Sequence, residues 1–283
     1  MALGRDPETA PLVPDGAAQA CGSIIEAVEP GRLRSLDRTP LWRLRLQLRL
    51  VERLGVPGIT LHYLARKRCL EEIARQGLGR DVEQVVVLGA GLDTLCLRLH
   101  REFPKKFFVE CDHPATQEIK RRALQGRSGP NLLLLPIDLT RGSLVESLLR
   151  LDGFRRSVST LMIAEGLLMY FEEKDVRGVF TAFAECSGPA SRFAFTFMEP
   201  RPDRKIGFAA ANPLLDLWLR WKGEPLRWGI ARDHLNGFLA SAGLALESLW
   251  DDRALREGWL KPAGLAHRRL ARGECVALAL KGA

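Results

Sequence analysis

The amino-acid sequence predicts an α/β fold: a mostly parallel sheet with helices on both faces. Three observations lead there. Short apolar runs rich in Val, Leu and Phe recur between residues 84 and 281. Helix-like segments long enough to serve as crossovers separate most of them. The first run ends in Gly89-Ala90-Gly91, a bend suited to the passage from a strand into a helix.

Composition narrows the class. The chain has 283 residues, 46% of them apolar and 27% charged, an ordinary balance for a soluble globular protein. Its 16 Pro and 26 Gly are too few for a disordered or collagenous chain. No stretch reaches the roughly 18 consecutive apolar residues of a membrane span, so a transmembrane protein is excluded and no membrane partner is expected. Residues 1–20 carry Pro7, Pro11 and Pro14 without the basic start and apolar run of a secretory signal, and read as a flexible N-terminal arm. The six Cys have no zinc-site spacing, and a chain this long needs no disulfide framework; no metal is expected, and reduced thiols in a cytoplasm fit best.

Residues 41–54, LWRLRLQLRLVERL, alternate Leu and Arg in their middle, but Leu, Arg and Gln are good helix formers and Leu41, Leu44, Leu48 and Val51 fit helical spacing. A helix is therefore predicted there. A second runs from about Thr60, a capping candidate, to residue 76, closed by Gly77 and Gly79. Strands are predicted at 84–88, 106–110, 132–137, 160–164, 192–198, 244–250 and 274–281. Helices are expected at 93–102, 114–125, 143–150, 173–186 and 232–242. The last two strands lack a long helix between them and fit an antiparallel pair at one edge. Seven strands ending this way have the outline of a class I methyltransferase, a Rossmann-like sheet, though periodicity alone supplies only the layered sandwich. Residues 21–283 then form one domain, with 21–80 an N-terminal helical cap and 199–234 a lid insertion over the substrate.

The net charge is +8 with His neutral, and residues 32–80 hold twelve Arg/Lys against four acids, which accounts for all of it. Such a patch could attract nucleic acid, yet no aromatic-rich RNA-binding motif or zinc-finger spacing accompanies it. A solvated Arg-rich helix face is the simpler reading, and nucleic acid is not the favoured partner.

Ligands of parallel sheets bind beyond the carboxyl ends of the strands, so the residues just past each strand carry the chemistry. Gly89, Ala90 and Gly91 let backbone amides approach a ligand at a helix N-terminus. A third glycine, wanted by a dinucleotide, is replaced by Thr94. The second strand ends near Asp112, where a carboxylate can accept from both ribose hydroxyls. The third ends at Asp138 and Leu139, where an acid can accept from an adenine amino group. The fourth ends at Glu165. Three acids at successive strand tips suit ribose, an ammonium and a sulfonium; they do not suit pyrophosphate.

These residues carry a resemblance. VVVLGAGLDT (85–94) with Arg98-Leu99, VECDHP (109–114) with Lys120, IDL (137–139) and IAEGLLMYF (163–171) resemble the leucine carboxyl methyltransferase-like family of S-adenosylmethionine-dependent O-methyltransferases. The tail, with GEPLRWGI (223–230), GLALESL (243–249) and ECVALAL (274–280), is similar to bacterial members. The resemblance implies S-adenosyl-L-methionine as cofactor and a carboxylate or hydroxyl acceptor on a small molecule or peptide. It also implies cofactor contacts at Gly89, Gly91, Asp112, Asp138, Leu139 and Glu165. Tyr63-Leu-Ala-Arg66 resembles the segment that holds the methionine carboxylate, which nominates Arg66, with Arg68 as its rival. Leu95 departs from the Arg that many bacterial relatives carry, and residues 20–40 show no counterpart of the family's upstream basic contact.

Methyl transfer from a sulfonium is an in-line displacement, and a carboxylate acceptor is already ionised at neutral pH, so no general base is needed. A hydroxyl acceptor would need one, with His234 or Glu165 as candidates. Acceptor residues are expected in the lid and beside it: Tyr170, Arg227 and His234, with Trp218, Trp221 and Trp228 either walling the acceptor or forming a packing face. An RNA methyltransferase using the basic patch and a non-catalytic cofactor-binding relative are the alternatives.

Overall fold

The computed structural model describes residues 2–282. A turn of helix α1 (Ala2–Arg5) leads through a 3-10 turn (Ala10–Leu12) into α2 (Ala17–Val28), α3 (Arg32–Arg38), α4 (Leu41–Leu54) and the long α5 (Ile59–Leu78). The sheet comes next: β1 (Gln84–Leu88), α6 (Leu95–Glu102), β2 (Phe107–Asp112), α7 (Pro114–Ala123), β3 (Leu132–Pro136), α8 (Leu144–Leu149) and β4 (Thr160–Ala164). The chain continues through α9 (Glu173–Cys186), β5 (Arg192–Met198), α10 (Pro213–Trp221), α11 (Arg232–Ser241), β6 (Leu244–Trp250), α12 (Asp252–Leu255) and β7 (Glu274–Lys281). Among the described residues, no helix is long and apolar enough to cross a membrane.

The sheet order is β3-β2-β1-β4-β5-β7-β6. Strands β1 to β5 are parallel, while β7 enters antiparallel between β5 and β6. The expected antiparallel pair is present, with β6 at the edge and β7 inside. Both faces of the central strands are covered, as their uninterrupted apolar runs require. Val85 and Val87 face a core shared with α5 and α6, whereas Val86 and Leu88 face a second core against α9 and α11. In that second core Phe180 of α9 packs its ring 4.9 to 5.0 Å from the rings of Phe193, Phe195 and Phe238.

Helix starts obey local chemistry. Ser143 accepts from the Glu146 amide to open α8, and Pro114 occupies the first turn of α7 with His113 Nδ1 accepting from the Ala115 amide. Helix α5 is capped by Gly58 and not by Thr60, whose amide instead donates to Glu52. Gly58 adopts φ +82°, and a Cβ there would lie 2.8 Å from the Arg269 carbonyl oxygen, so no other residue fits well. Helix α6 begins at Leu95, not 93, because Asp93 and Thr94 form a turn in which the Thr94 amide donates to the Asp93 carboxylate.

The N-terminal segment differs most from expectation. It is folded against the body and is not a loose arm. Leu12 is 2% exposed in the core against α5, and Asp6 accepts two hydrogen bonds from Arg45 at 2.8 and 2.7 Å. The three prolines punctuate short helical turns here; they do not keep the chain open.

Candidate cofactor and acceptor site

Strand order reverses between β2 and β4 on either side of β1, which opens a crevice above the carboxyl ends of β1 and β4. Gly89 and Gly91 bend the chain there with φ +63° and +50°. A Cβ on Gly89 would meet Leu167 Cδ1 at 2.8 Å, whereas one on Gly91 would stand in open space. Between them Ala90 is buried, its amide donating to the Cys111 carbonyl.

Asp112 closes β2 beside this bend. Its carboxylate accepts from the Gly91 amide at 2.5 Å and the His113 amide at 2.6 Å, fixing its orientation. Asp138 stands one strand further out, in the turn after β3, where it accepts from the Thr140 hydroxyl and amide at 2.7 and 3.0 Å. Those two bonds hold its carboxyl below the usual range. The Asp112 carbonyl accepts from the Ile137 amide, which keeps the two acidic tips adjacent. Leu139 is partly buried against the aromatic side of the core.

Glu165, just past β4, meets α5. It accepts from Arg66 Nε and from Lys67 Nζ, each at 2.8 Å. Arg66 also donates through Nη1 to both oxygens of Glu274, at 2.7 and 2.6 Å, while Lys67 reaches Asp93 at 3.1 Å. The result is one continuous row: Glu274, Arg66, Glu165, Lys67, Asp93. It contains three carboxylates and two cations. His62 Nε2 closes the far end, 2.8 Å from Glu274.

Electrostatics keeps Glu274, Asp93, Arg66 and Lys67 ionised. Burial alone would raise Glu274, but the Arg66 guanidinium and His62 more than offset it and hold the carboxyl at about 2. Asp93 is likewise lowered, with Lys67 and Lys120 overcoming burial. Arg66 and Lys67 are raised, since their carboxylate partners outweigh the cost of desolvation. Lys120, fully buried, donates to the Asp93 carbonyl at 2.7 Å and pairs with Glu110 at 2.6 Å, which pins the Gly89–Asp93 bend from behind.

The structure thus brings Gly89, Ala90, Gly91 and Asp112 together at the ends of β1 and β2, joins Glu165 to Arg66 past β4, and sets Asp138 and Leu139 at the neighbouring strand tip. Arg66, and not Arg68, makes the bonds to Glu165. Lys67, Asp93, Glu274 and His62 were not singled out from the sequence. Asp93 lies inside the quoted GAGLDT box, and Glu274 is a lone acid opening an apolar strand; both signals were readable.

The three acceptor-side candidates separate. Tyr170 is half-buried, and burial, with Glu224 and Glu274 adding to it, raises its phenol. Arg227 donates its backbone amide to the Met169 carbonyl beside Tyr170, but its guanidinium pairs with Glu172 at 2.8 Å on the surface. His234 is exposed and lines a shallow cavity of α9 and α11 with Glu173, Arg177, Trp228 and Phe238. Trp228 is buried in the core, its ring 5.6 Å from that of Phe238, while Trp218 and Trp221 are exposed on α10. The two indoles therefore form no packing face within the chain. Within the basic patch, Arg45, Arg66, Lys67 and Arg75 are committed to carboxylates of the same chain.

Residues 5–184 match the family model described as leucine carboxyl methyltransferase. The chain belongs to that family. It is 27% identical over 197 residues, 65% of its length and 60% of the relative's, to YktD of Bacillus subtilis, which is named as an S-adenosyl-L-methionine-dependent methyltransferase. A Mycobacterium avium protein named as a methyltransferase with the same cofactor is 37% identical over 149 residues, covering 51% of this chain and 48% of that one. The chain spans about half to three-fifths of the length of such relatives. A crystal structure from Thermobifida fusca, described as a methyltransferase, shares the fold with a TM-score of 0.58 over 93% of this chain and 94% of its own, at 16% identity. This family member thus has the class I methyltransferase sheet that its strand pattern predicts.

Proposed function

We propose that this protein is an S-adenosyl-L-methionine-dependent O-methyltransferase acting on a carboxylate of a small-molecule or peptide acceptor. The observation that carries the reading is the row from Glu274 to Asp93, with its three carboxylates, set against a glycine bend and the anchored Asp112. A cationic ligand with a ribose fits that arrangement: Asp112 retains lone pairs for hydroxyls, open space above Gly91 admits a close approach, and the acids complement an ammonium or sulfonium. Asp138 and Leu139, at the neighbouring strand tip, would give the base one polar and one apolar contact. The names of the Bacillus and mycobacterial relatives support the same cofactor.

When bound, this cofactor supplies an activated methyl group. The chain's own residues align and exclude water. Glu165 is oriented by Arg66 and Lys67, which engage both of its oxygens as hydrogen-bond acceptors. Tyr170, with its phenol raised, stays protonated at neutral pH and can donate a hydrogen bond to an acceptor carboxylate. His234, a candidate base for a hydroxyl acceptor, lies on the α9–α11 surface and is not part of the row.

Calorimetric titration with S-adenosylhomocysteine tests the cofactor, with saturable heat and a raised melting temperature as the expected result. No heat and an unchanged melting temperature would overturn it. Turnover against a panel of carboxylates and the matching alcohols then separates the two acceptor chemistries.

A further inference from the structure

Helix α4 wears its apolar residues on the outside. Of its fourteen residues only Leu44 is fully buried. Trp42, Leu46, Leu50, Val51 and Leu54 keep between 54% and 62% of their surface open. Trp42, Leu46, Leu50 and Leu54 stand four apart, a single ridge along the helix. Arg43, Arg49 and Arg53 lie exposed alongside that ridge, Arg43 with its guanidinium 5.1 Å from the Trp42 ring centre. The acid of this helix, Glu52, is turned to the Thr60 amide.

The lid helix extends the surface. The Asn212 amide donates to the Gly55 carbonyl at 2.9 Å, tying the segment that opens α10 to the end of α4. Along α10, Leu214, Leu217, Trp218 and Trp221 are exposed by 51% to 74%, and Lys222 lies over both indoles at 6.0 and 4.9 Å. An apolar surface of this extent, fringed by cations, marks an interaction site.

Charge decides the occupant. A second copy related by a twofold axis would set the exposed Arg43, Arg49 and Arg53 against their equivalents, a repulsion. A bilayer carrying anionic headgroups satisfies both halves of the surface. The Leu and Trp ridge enters the headgroup–acyl boundary, and the Arg side chains reach back to phosphate. We propose that α4, continued by α10, docks this protein flat on the surface of an anionic lipid membrane. The expectation of no membrane partner rested on the lack of a spanning stretch and does not bear on a surface-lying helix. The proposal stands independently of the methyl-transfer reading.

Co-sedimentation of the full chain with vesicles of phosphatidylcholine plus phosphatidylserine, and of phosphatidylcholine alone, tests it. Binding to the anionic vesicles is expected to be at least about tenfold tighter, and to weaken as salt rises. The pair Leu46→Asp with Leu50→Asp abolishes binding, and Arg49→Ala with Arg53→Ala weakens it by about tenfold or more. Both pairs are surface changes, so melting temperatures stay near the parent's. Equal binding to the two vesicle types, no binding to either, or full binding by both folded double variants would overturn the proposal. So would a concentration-dependent dimer in sedimentation velocity that the Leu46→Asp, Leu50→Asp pair dissolves, with no vesicle binding by the parent.

Discussion

Glu274, which opens β7, grips Arg66 of α5 through contacts of 2.7 and 2.6 Å across 208 residues of sequence. Glu274 is 1% exposed, so its loss would strand a guanidinium in a nearly dry site. Glu274→Ala is expected to cost about 3–5 kcal/mol, the usual range for breaking one side of a buried pair. Urea unfolding monitored by circular dichroism measures it; a cost below about 1 kcal/mol would show that Arg66 is held by Glu165 alone.

The same carboxylate sets an acid limit. Glu274 sits at about 2 in the folded chain against an ordinary 4.5, a depressed value, so its stabilisation is complete above pH 4.5 and is lost as pH falls toward 2. That gap corresponds to about 3 kcal/mol. Asp93 is depressed too and adds in the same direction. Urea midpoints measured down through this window are expected to drop, and Glu274→Gln to flatten the drop.

Asp112 is expected to matter for ligand more than for fold. Its two amide donors lie in a partly solvated turn, so Asp112→Ala costs about 1 kcal/mol of stability, whereas S-adenosylhomocysteine affinity falls by at least about tenfold. Calorimetry on the variant and parent separates the two effects; unchanged affinity would remove Asp112 from the ribose site.

Gly91→Ala probes the open space above the bend. The positive φ costs about 1–2 kcal/mol, and no protein atom obstructs the added methyl. The methyl would occupy the path of the ligand, so cofactor affinity is expected to fall beyond the stability loss. Full affinity in this variant would place the nucleoside elsewhere.

On the acceptor side, Tyr170→Phe is expected to lower kcat on a carboxylate acceptor by about tenfold, one charge-assisted hydrogen bond, with the Kd for S-adenosylhomocysteine unchanged. Arg227→Ala is expected to leave that Kd unchanged as well and to cost at most about 1 kcal/mol of stability, because its pair with Glu172 is exposed. Equal losses of turnover and cofactor binding in either variant would remove it from the acceptor site.

The sheet was legible because its strands are buried on both faces. Gln84 through Leu88, Thr160 through Ala164 and Arg192 through Met198 stand as runs whose ends are their strand ends. Asp112, Asp138 and Glu165 were legible for the same reason, being the first acids after such runs. Lys67 was not, because its role depends on a partner far away in sequence, 98 residues off at Glu165. Within its own segment Lys67 looks like one more cation of a basic helix. The packed N-terminus was hidden similarly: Leu12 has no periodic neighbours to betray its burial, and proline content argued for openness.

The placement of β7 has a consequence for how the protein is made. A nascent chain that has emerged only as far as β6 already owns the bend, the parallel strands and their acidic tips. It still leaves Arg66 and His62 competing for water, and β5 with a bare edge. Closure of the row from Glu274 to Asp93 is therefore coupled to threading of the last strand.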